Sequence, residues 1–399
     1  MRGTNDDKTA PATPPTAADK RTFANDSNAF ALDLYGQLTK TEKGNLFFSP
    51  YSISTALAMT YGGARGNTGA QMEKVLHFTL GQAHLHAVCG AFAQELNAAE
   101  KNGKARGFQL SVANRLFGQN GYHFLPAFVE ATQVFYGAGL EQLDFSKKNA
   151  EASRQRINQW VEDKTQKKIK DLIPANAVDD ALLVLTNAIY FKGDWASQFD
   201  KTLTKNEPFH LQAGNDVQAP TMTKTAHFKY MEEKGSFQAL ELPYKDNELS
   251  MLVFLPEHRD GLPQLEKTFL PDNLNRWLGN LAEQKIVVSL PKFKLTWGTV
   301  NLVPVFQALG LTDPFTNAAD FSGMTQDPAG LVIGAIFHKA FVDVNEEGTE
   351  AAAATAVVMA PGSAPMQPKS FRADHPFLFL IRENTSGNIL FIGRMIDPR

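Results

Sequence analysis

Hydrophobic positions change their period partway along the chain. Phe23, Phe30, Leu34 and Leu38 recur at spacings that share one helix face. Gly44 and Asn45 end that pattern, and Leu46 to Phe48 reads as a short buried strand. Ser49 and Pro50 then open a helix, with Ser49 as N-cap and Pro50 at the first helical position. That helix, from about Tyr51 to Tyr61, is apolar nearly all round, which predicts central burial, and Gly62 and Gly63 stop it. Helical patterns continue through 70–105, with a polar loop at 100–107, and again from Leu125 to Tyr136. Residues 109–118 and 140–145 read as strands, and Ser146 to Ile173 as one long amphipathic helix closed by Pro174.

After Val178 the chain turns to strands. The run from Ala181 to Trp195 is too β-branched and aromatic for a surface helix. Further apolar segments follow, many separated by Gly, Pro, Asn or Asp turn signals. Helices first and antiparallel sheets afterwards predict an α+β fold. No internal repeat or linker appears, and the last strands have no local partners. They must close sheets begun much earlier, so one interwoven domain is expected over 22–399.

Composition narrows the function classes. The chain has 399 residues, 43% hydrophobic and 20% charged, enough for a large core. A net charge of −3 argues against a general nucleic-acid binder. A single cysteine, Cys89, excludes an intrachain disulfide. No run of 18 apolar residues predicts a membrane span. Residues 1–21 carry Pro11, Pro14 and Pro15 among Thr, Ala and Asp, a composition that cannot offset its ordering entropy, so a disordered tail is expected. The tail holds no signal peptide as given. Its second reading is the stub of an exported protein, which points to an extracellular, periplasmic or cell-envelope location. No GxSxG, HExxH, Walker or GxGxxG motif is present, so the chain does not read as an enzyme. His84, His86 and Cys89 do not share a helix face, so no metal site is expected, and Lys101, Lys104 and Arg106 form no basic stripe.

Four separated segments carry a specific resemblance. AFVDVNEEGTEAAAATAVVMAPGSAP resembles the hinge and reactive-centre loop of inhibitory serpins, and HPFLFLIRENTSGNILFIGRMIDP their C-terminal strand pair. NLFFSPYSISTALAMTYGGARGNT resembles the family's central buried helix, and TNAIYFKGDW its strand behind the sheet opening. The similarity runs in the right order from about residue 23 to 399. It implies the serpin fold, helices packed around three β-sheets with an exposed reactive-centre loop at about 346–371. It also implies inhibition of a serine protease. The protease forms an acyl-enzyme on the loop, and the cleaved loop inserts into the main sheet. No cofactor is implied. The expected partner is a protease held covalently, and the chain is expected as a monomer capable of loop–sheet polymerisation. A non-inhibitory carrier or chaperone serpin is the alternative.

The loop residues can be read physically beside that resemblance. Glu346, Glu347 and Gly348 end a strand, and Gly348 frees the backbone at the exit. In an extended strand, Thr349, Ala351, Ala353 and Thr355 share one small, uncharged face. Glu350, Ala352, Ala354 and Ala356 take the other, and no proline interrupts 348–358. Counting fourteen residues on from Gly348, as the family's loop implies, places the reactive bond at Gly362–Ser363. No Arg or Lys lies between 351 and 368, so an elastase-like or subtilisin-like target is expected, and cleavage after Met359 is the alternative. The resemblance further assigns Ser49, Ser52, Asn187 and His338 to a polar network where the sheet opens. Trp195, Lys292 and Glu346 mark the point where the loop first enters.

Overall fold

The computed structural model describes residues 14–101, 104–137, 139–212, 214, 216–327, 330–349 and 368–399. Its helices are α1 (Ala17–Thr41), α2 (Pro50–Tyr61), α3 (Gly66–Leu76), α4 (Gln82–Asn97), α5 (Pro126–Tyr136), α6 (Ala150–Lys164), α7 (Leu262–Thr268), α8 (Pro271–Gly279) and α9 (Val303–Ala308). The strands of the first half are β1 (Leu46–Phe48), β2 (Glu100–Lys101), β3 (Lys104–Ala105), β4 (Phe108–Gln119), β5 (Glu141–Leu143), β6 (Leu183–Asp194), β7 (Lys205–Phe209) and β8 (Val217–Glu233). Those of the second are β9 (Phe237–Pro243), β10 (Leu249–Pro256), β11 (Ala282–Pro291), β12 (Phe293–Asn301), β13 (Ile333–Val344), β14 (Gly348–Thr349), β15 (Lys369–Arg372), β16 (Phe377–Glu383) and β17 (Ile389–Met395).

Among the described residues three sheets result, as the family resemblance implies. A nine-stranded sheet runs β1-β17-β16-β10-β9-β8-β11-β15, with β7 paired to β8. A six-stranded sheet runs β12-β13-β14-β6-β4-β5, and β2 pairs with β3. The C-terminal strands do close a sheet begun by β1, through Leu46 to Phe48 against Arg394 to Ile392. All twelve residues of α2 are buried, and the Ser49 side chain accepts from the Ser52 N–H at its start. This helix lies between the two large sheets, contacting β17 on one side and β6 and β4 on the other. A first core surrounds it, and a second, smaller one fills the opposite face of the six-stranded sheet beneath α6.

Several boundaries differ from the sequence expectation. Helix α1 begins at Ala17, where Thr16 and Asp19 form a capping box, so residues 17–21 belong to the helix rather than to a tail. Residues 1–13 lie outside the described part. The helix expected from Ser146 to Ile173 is only α6. Gln166 and Lys167 turn left-handed after it (φ 51° and 60°), and the chain folds back so that Asn158 bonds both the N–H and the C=O of Ile173. The apolar period persisted because Ile157, Val161, Ile169 and Ile173 all bury in the same small core, from the helix and from its return segment. The strand expected over 140–145 is confined to Glu141–Leu143, paired parallel to β4. The two ends of the loop expected at 346–371 are also in strands, Gly348–Thr349 as β14 and Lys369–Arg372 as β15.

Candidate functional site

The six-stranded sheet is unusual at its centre. β6 and β13 pair directly and parallel from Leu183 and Ile333 up to Tyr190 and Phe341. Beyond that point they part. The two-residue strand β14 fills the opening, antiparallel to both neighbours, with Gly348 opposite Asp194 and Thr349 opposite both Gly193 and Val344. The sheet is therefore a parallel pair with a wedge started at one end.

Packing makes the wedge specific. Gly348 has φ 153°, and a Cβ there would meet the Gly193 carbonyl oxygen at 2.1 Å, so no side chain fits. Thr349 is fully buried, and its hydroxyl lies 2.9 Å from the hydroxyl of Tyr244. Tyr244 stacks on Trp195, with centroids 4.6 Å apart and planes 12° apart. The Trp195 indole donates to the Asn345 carbonyl at 2.9 Å, which fixes the turn just before the wedge.

Lys292 and Glu346, both expected at the loop's entry point, form an ion pair at 2.8 Å. It is not a lone surface pair. The Glu346 side chain is only 6% exposed, and it also accepts from Thr204 Oγ1 at 2.8 Å. Burial opposes its charge, but the Lys292 and Thr204 hydrogen bonds outweigh that and hold the carboxyl below its usual range. Glu347 pairs with Lys201. Thr204, Lys201 and Tyr244 carry no sequence signal for this site, because each comes from a segment remote from the hinge.

The other predicted group also comes together. Ser49, Ser52, Asn187 and His338 are all fully buried between α2 and the β6–β13 pair, at which Asn187 and His338 lie directly opposite. His338 Nε2 accepts from the Ser49 N–H at 3.2 Å, so the ring proton is on Nδ1 and donates to Asn187 Oδ1. Asn187 Nδ2 donates to Ser52 Oγ at 2.6 Å, and Ser49 Oγ donates to the Leu390 carbonyl at 2.6 Å. Burial pushes His338 down to about 3, so the ring is neutral. Sequence reasoning missed Asn114 on β4, which accepts from Ser52 Oγ and Asn187 Nδ2 and donates to the Ser52 carbonyl. The network thus ties α2 to three strands of the sheet. Every member finds its partner inside the protein, as buried polar groups must.

Glu350, Ala351, Ala352, Ala353, Ala354, Met359 and the Gly362–Ser363 bond lie outside the described residues. His84 pairs with Asp19, His86 bonds Tyr136, and Cys89 is buried. No described helix is long and apolar enough to cross a membrane.

Comparison with known proteins gives a consistent result. A family model described as "Serpin (serine protease inhibitor)" matches residues 25–398. Human Serpin B3 is 41% identical over 385 residues, covering 92% of this chain and 97% of that protein. The leukocyte elastase inhibitor of Sus scrofa is 43% identical over 386 residues, with the same coverage. Among solved structures, Serpin48 of the insect Tenebrio molitor superposes with a TM-score of 0.83 at 33% identity, covering 94% of this chain and 98% of that one. None of these names supports the extracellular or cell-envelope location expected from the sequence, and it is not proposed.

Proposed function

The chain belongs to the serpin family of serine protease inhibitors, and on that premise we propose that it is a suicide substrate for an elastase-like or subtilisin-like protease. The observation that carries this reading is the wedge of β14 between β6 and β13. The protease serine attacks the loop and forms an acyl-enzyme. Cleavage releases the loop's N-terminal half, which extends β14 down the opening. The enzyme is drawn away before water deacylates it.

The register supports the reading in detail. Continued residue by residue, it brings Ala351 between Phe191 and Val342, both fully buried in the main core. Glu350 comes between Lys192 and Asp343, which are partly exposed, so its charge stays near water. Thr355 arrives between Asn187 and His338, whose direct bond it must replace. Met359 arrives opposite Leu183, the first residue of β6. The sheet therefore takes in the chain up to about Met359. Cleavage after Gly362 leaves Ala360 to Gly362 as a tether, whereas cleavage after Met359 leaves none. On the order of ten new backbone hydrogen bonds form, each worth about 1 kcal/mol.

The relatives' names favour inhibition over a carrier role, since the porcine protein is named as an elastase inhibitor. The test is incubation with an elastase-like protease. A detergent-resistant covalent complex and a released peptide beginning at Ser363 are expected. A peptide beginning at Ala360 would refute the register, and turnover without any complex would refute the mechanism.

A further inference from the structure

A cavity of about 710 Å³ opens between the C-terminal half of α1 and helix α7. These helices contact β17 and β10, both in the nine-stranded sheet. We propose that the cavity binds the anion of a single-chain fatty acid, with the chain along its apolar wall and the carboxylate among its lysines. The site shares no residue with the wedge or the opening network, so the proposal does not depend on the inhibitor reading.

The wall supplies the apolar half of the chemistry. Leu262, Phe269, Leu309 and Ile396 line it, and the first two are 1% and 3% exposed. Leu270 lines the same space yet is 55% exposed. A lone exposed leucine is ordinary, but this one continues a buried apolar surface. Gly36 on α1 also faces the cavity. Glycine is a poor helix former, and a Cβ built there meets no heavy atom within 4 Å. No neighbour requires the glycine, and its effect is to keep the space over α1 free.

The charged lining supplies the other half. Four cations line the cavity against two carboxylates, and both carboxylates are engaged. Glu266 accepts from Arg394 at 2.9 Å and from Tyr35 at 2.7 Å, and Asp33 lies 2.7 Å from His77. Arg394 also donates to the Gly44 carbonyl at 3.0 Å, so it serves as a frame that ties α7 to β17 and the end of α1. Lys40, Lys43 and Lys267 remain. Lys40 bonds the Gln37 amide oxygen and Lys43 bonds backbone carbonyls, and none of the three has a carboxylate partner among the described residues. Three exposed ammonium groups beside an apolar cavity select a ligand with one negative end and a long apolar body. Their aliphatic stems can cover the chain while the ammonium groups reach its carboxylate. A polyanion would leave the apolar wall bare, and a cationic head would meet like charge. The volume lies within the range of about 300–1,000 Å³ for organic-ligand pockets.

The test uses the intact full chain and sodium dodecanoate below its micelle concentration, read by calorimetry. Saturable one-to-one binding is expected. Octanoate should bind more weakly, by about fourfold for each methylene no longer covered. Dodecyltrimethylammonium, with the same chain and the opposite charge, should bind more weakly by about tenfold. Gly36→Phe puts a ring into the open space over α1 and should abolish binding. Lys267→Glu, at an exposed position, should weaken dodecanoate by about tenfold and leave thermal unfolding of the unliganded chain unchanged. If Gly36→Phe does not fold, Leu270→Asp tests the wall instead, and should weaken dodecanoate more than octanoate. Absence of saturable binding, equal affinity for the two acids, or unchanged affinity in both Lys267→Glu and Leu270→Asp overturns the site. Capture of phosphatidylglycerol vesicles by a chain that does not bind dodecanoate also overturns it, and makes the groove a membrane contact.

Discussion

Thr349 Oγ1 lies 2.9 Å from Tyr244 Oη, in a fully buried contact that anchors the first turn of the wedge in the sheet. Burial pushes the Tyr244 phenol far above its usual range, so it stays protonated and can donate. Trp195 stacked beneath Tyr244 leaves no room for it to swing aside. The hinge is thus already committed to the sheet before any protease arrives.

That contact gives the first prediction. Thr349→Arg would force a charge into a site with no exposure, at a cost of several kcal/mol. Cleavage should proceed, but insertion should stall. The variant should be turned over as a substrate, with no detergent-resistant complex. Tyr244→Phe, which only orphans the threonine hydroxyl, should lower the stability of the intact protein by about 1–3 kcal/mol in urea unfolding. A Thr349→Arg protein that still traps its target would remove the wedge from the mechanism.

Glu346 gives the second. In Glu346→Lys, a cation would face Lys292 in a nearly buried position and lose the Thr204 bond. The hinge should leave its native position more readily, and spontaneous insertion or polymerisation should rise. Size-exclusion chromatography after mild heating measures this. Unchanged monomer content would count against a holding role for the Lys292–Glu346 pair.

A pair of loop substitutions tests the insertion register. Ala351→Glu would place a carboxylate between Phe191 and Val342, both without exposure, and should abolish trapping. Glu350→Ala lies on the face beside Lys192 and Asp343 and should leave trapping intact. The ratio of complex to cleaved protein on a denaturing gel reads both. Equal effects would mean the faces are assigned wrongly.

Two desolvated histidines, fully buried His338 and partly exposed His86, contribute to the acid dependence. Burial pushes His338 down to about 3 and His86 to about 4, from the ordinary 6.5. Both rings stay neutral in the folded chain while the unfolded chain binds protons below 6.5. Their stabilisation is therefore complete above 6.5 and is lost as pH falls toward the folded values. The loss is about 1.4 kcal/mol per pH unit for each ring. Urea midpoints measured as pH falls through that window should decline, and His338→Gln should remove about half of the slope. Glu346 adds a loss at lower pH, because its depressed carboxyl is stabilising only while charged. A pH-independent midpoint would show that neither ring is held neutral as described.

The sequence carried α2 almost completely, because Ser49, Pro50 and the glycine pair are local signals with local causes. It also placed Ser49, Ser52, Asn187 and His338 in one network, through a family resemblance that no periodicity could supply. It failed at Ile169 to Ile173, where apolar spacing continued through a reversal of the chain. Spacing reports which residues meet a core, not whether one straight helix delivers them. Asn114, Thr204 and Tyr244 were illegible for a related reason. Each looks ordinary in its own segment and becomes functional only against a residue far along the chain.

What the sequence determined by itself was the set of elements and the small, proline-free hinge of 348–358, since backbone freedom and side-chain size are properties of each residue. Only the tertiary structure decided that β6 and β13 part above Tyr190 and Phe341, and that Gly348 and Thr349 occupy the parting. That decision depends on strands far apart in the chain sharing one ladder, and on Gly193, Tyr244 and Trp195 closing around the wedge. Local propensity has no term for either.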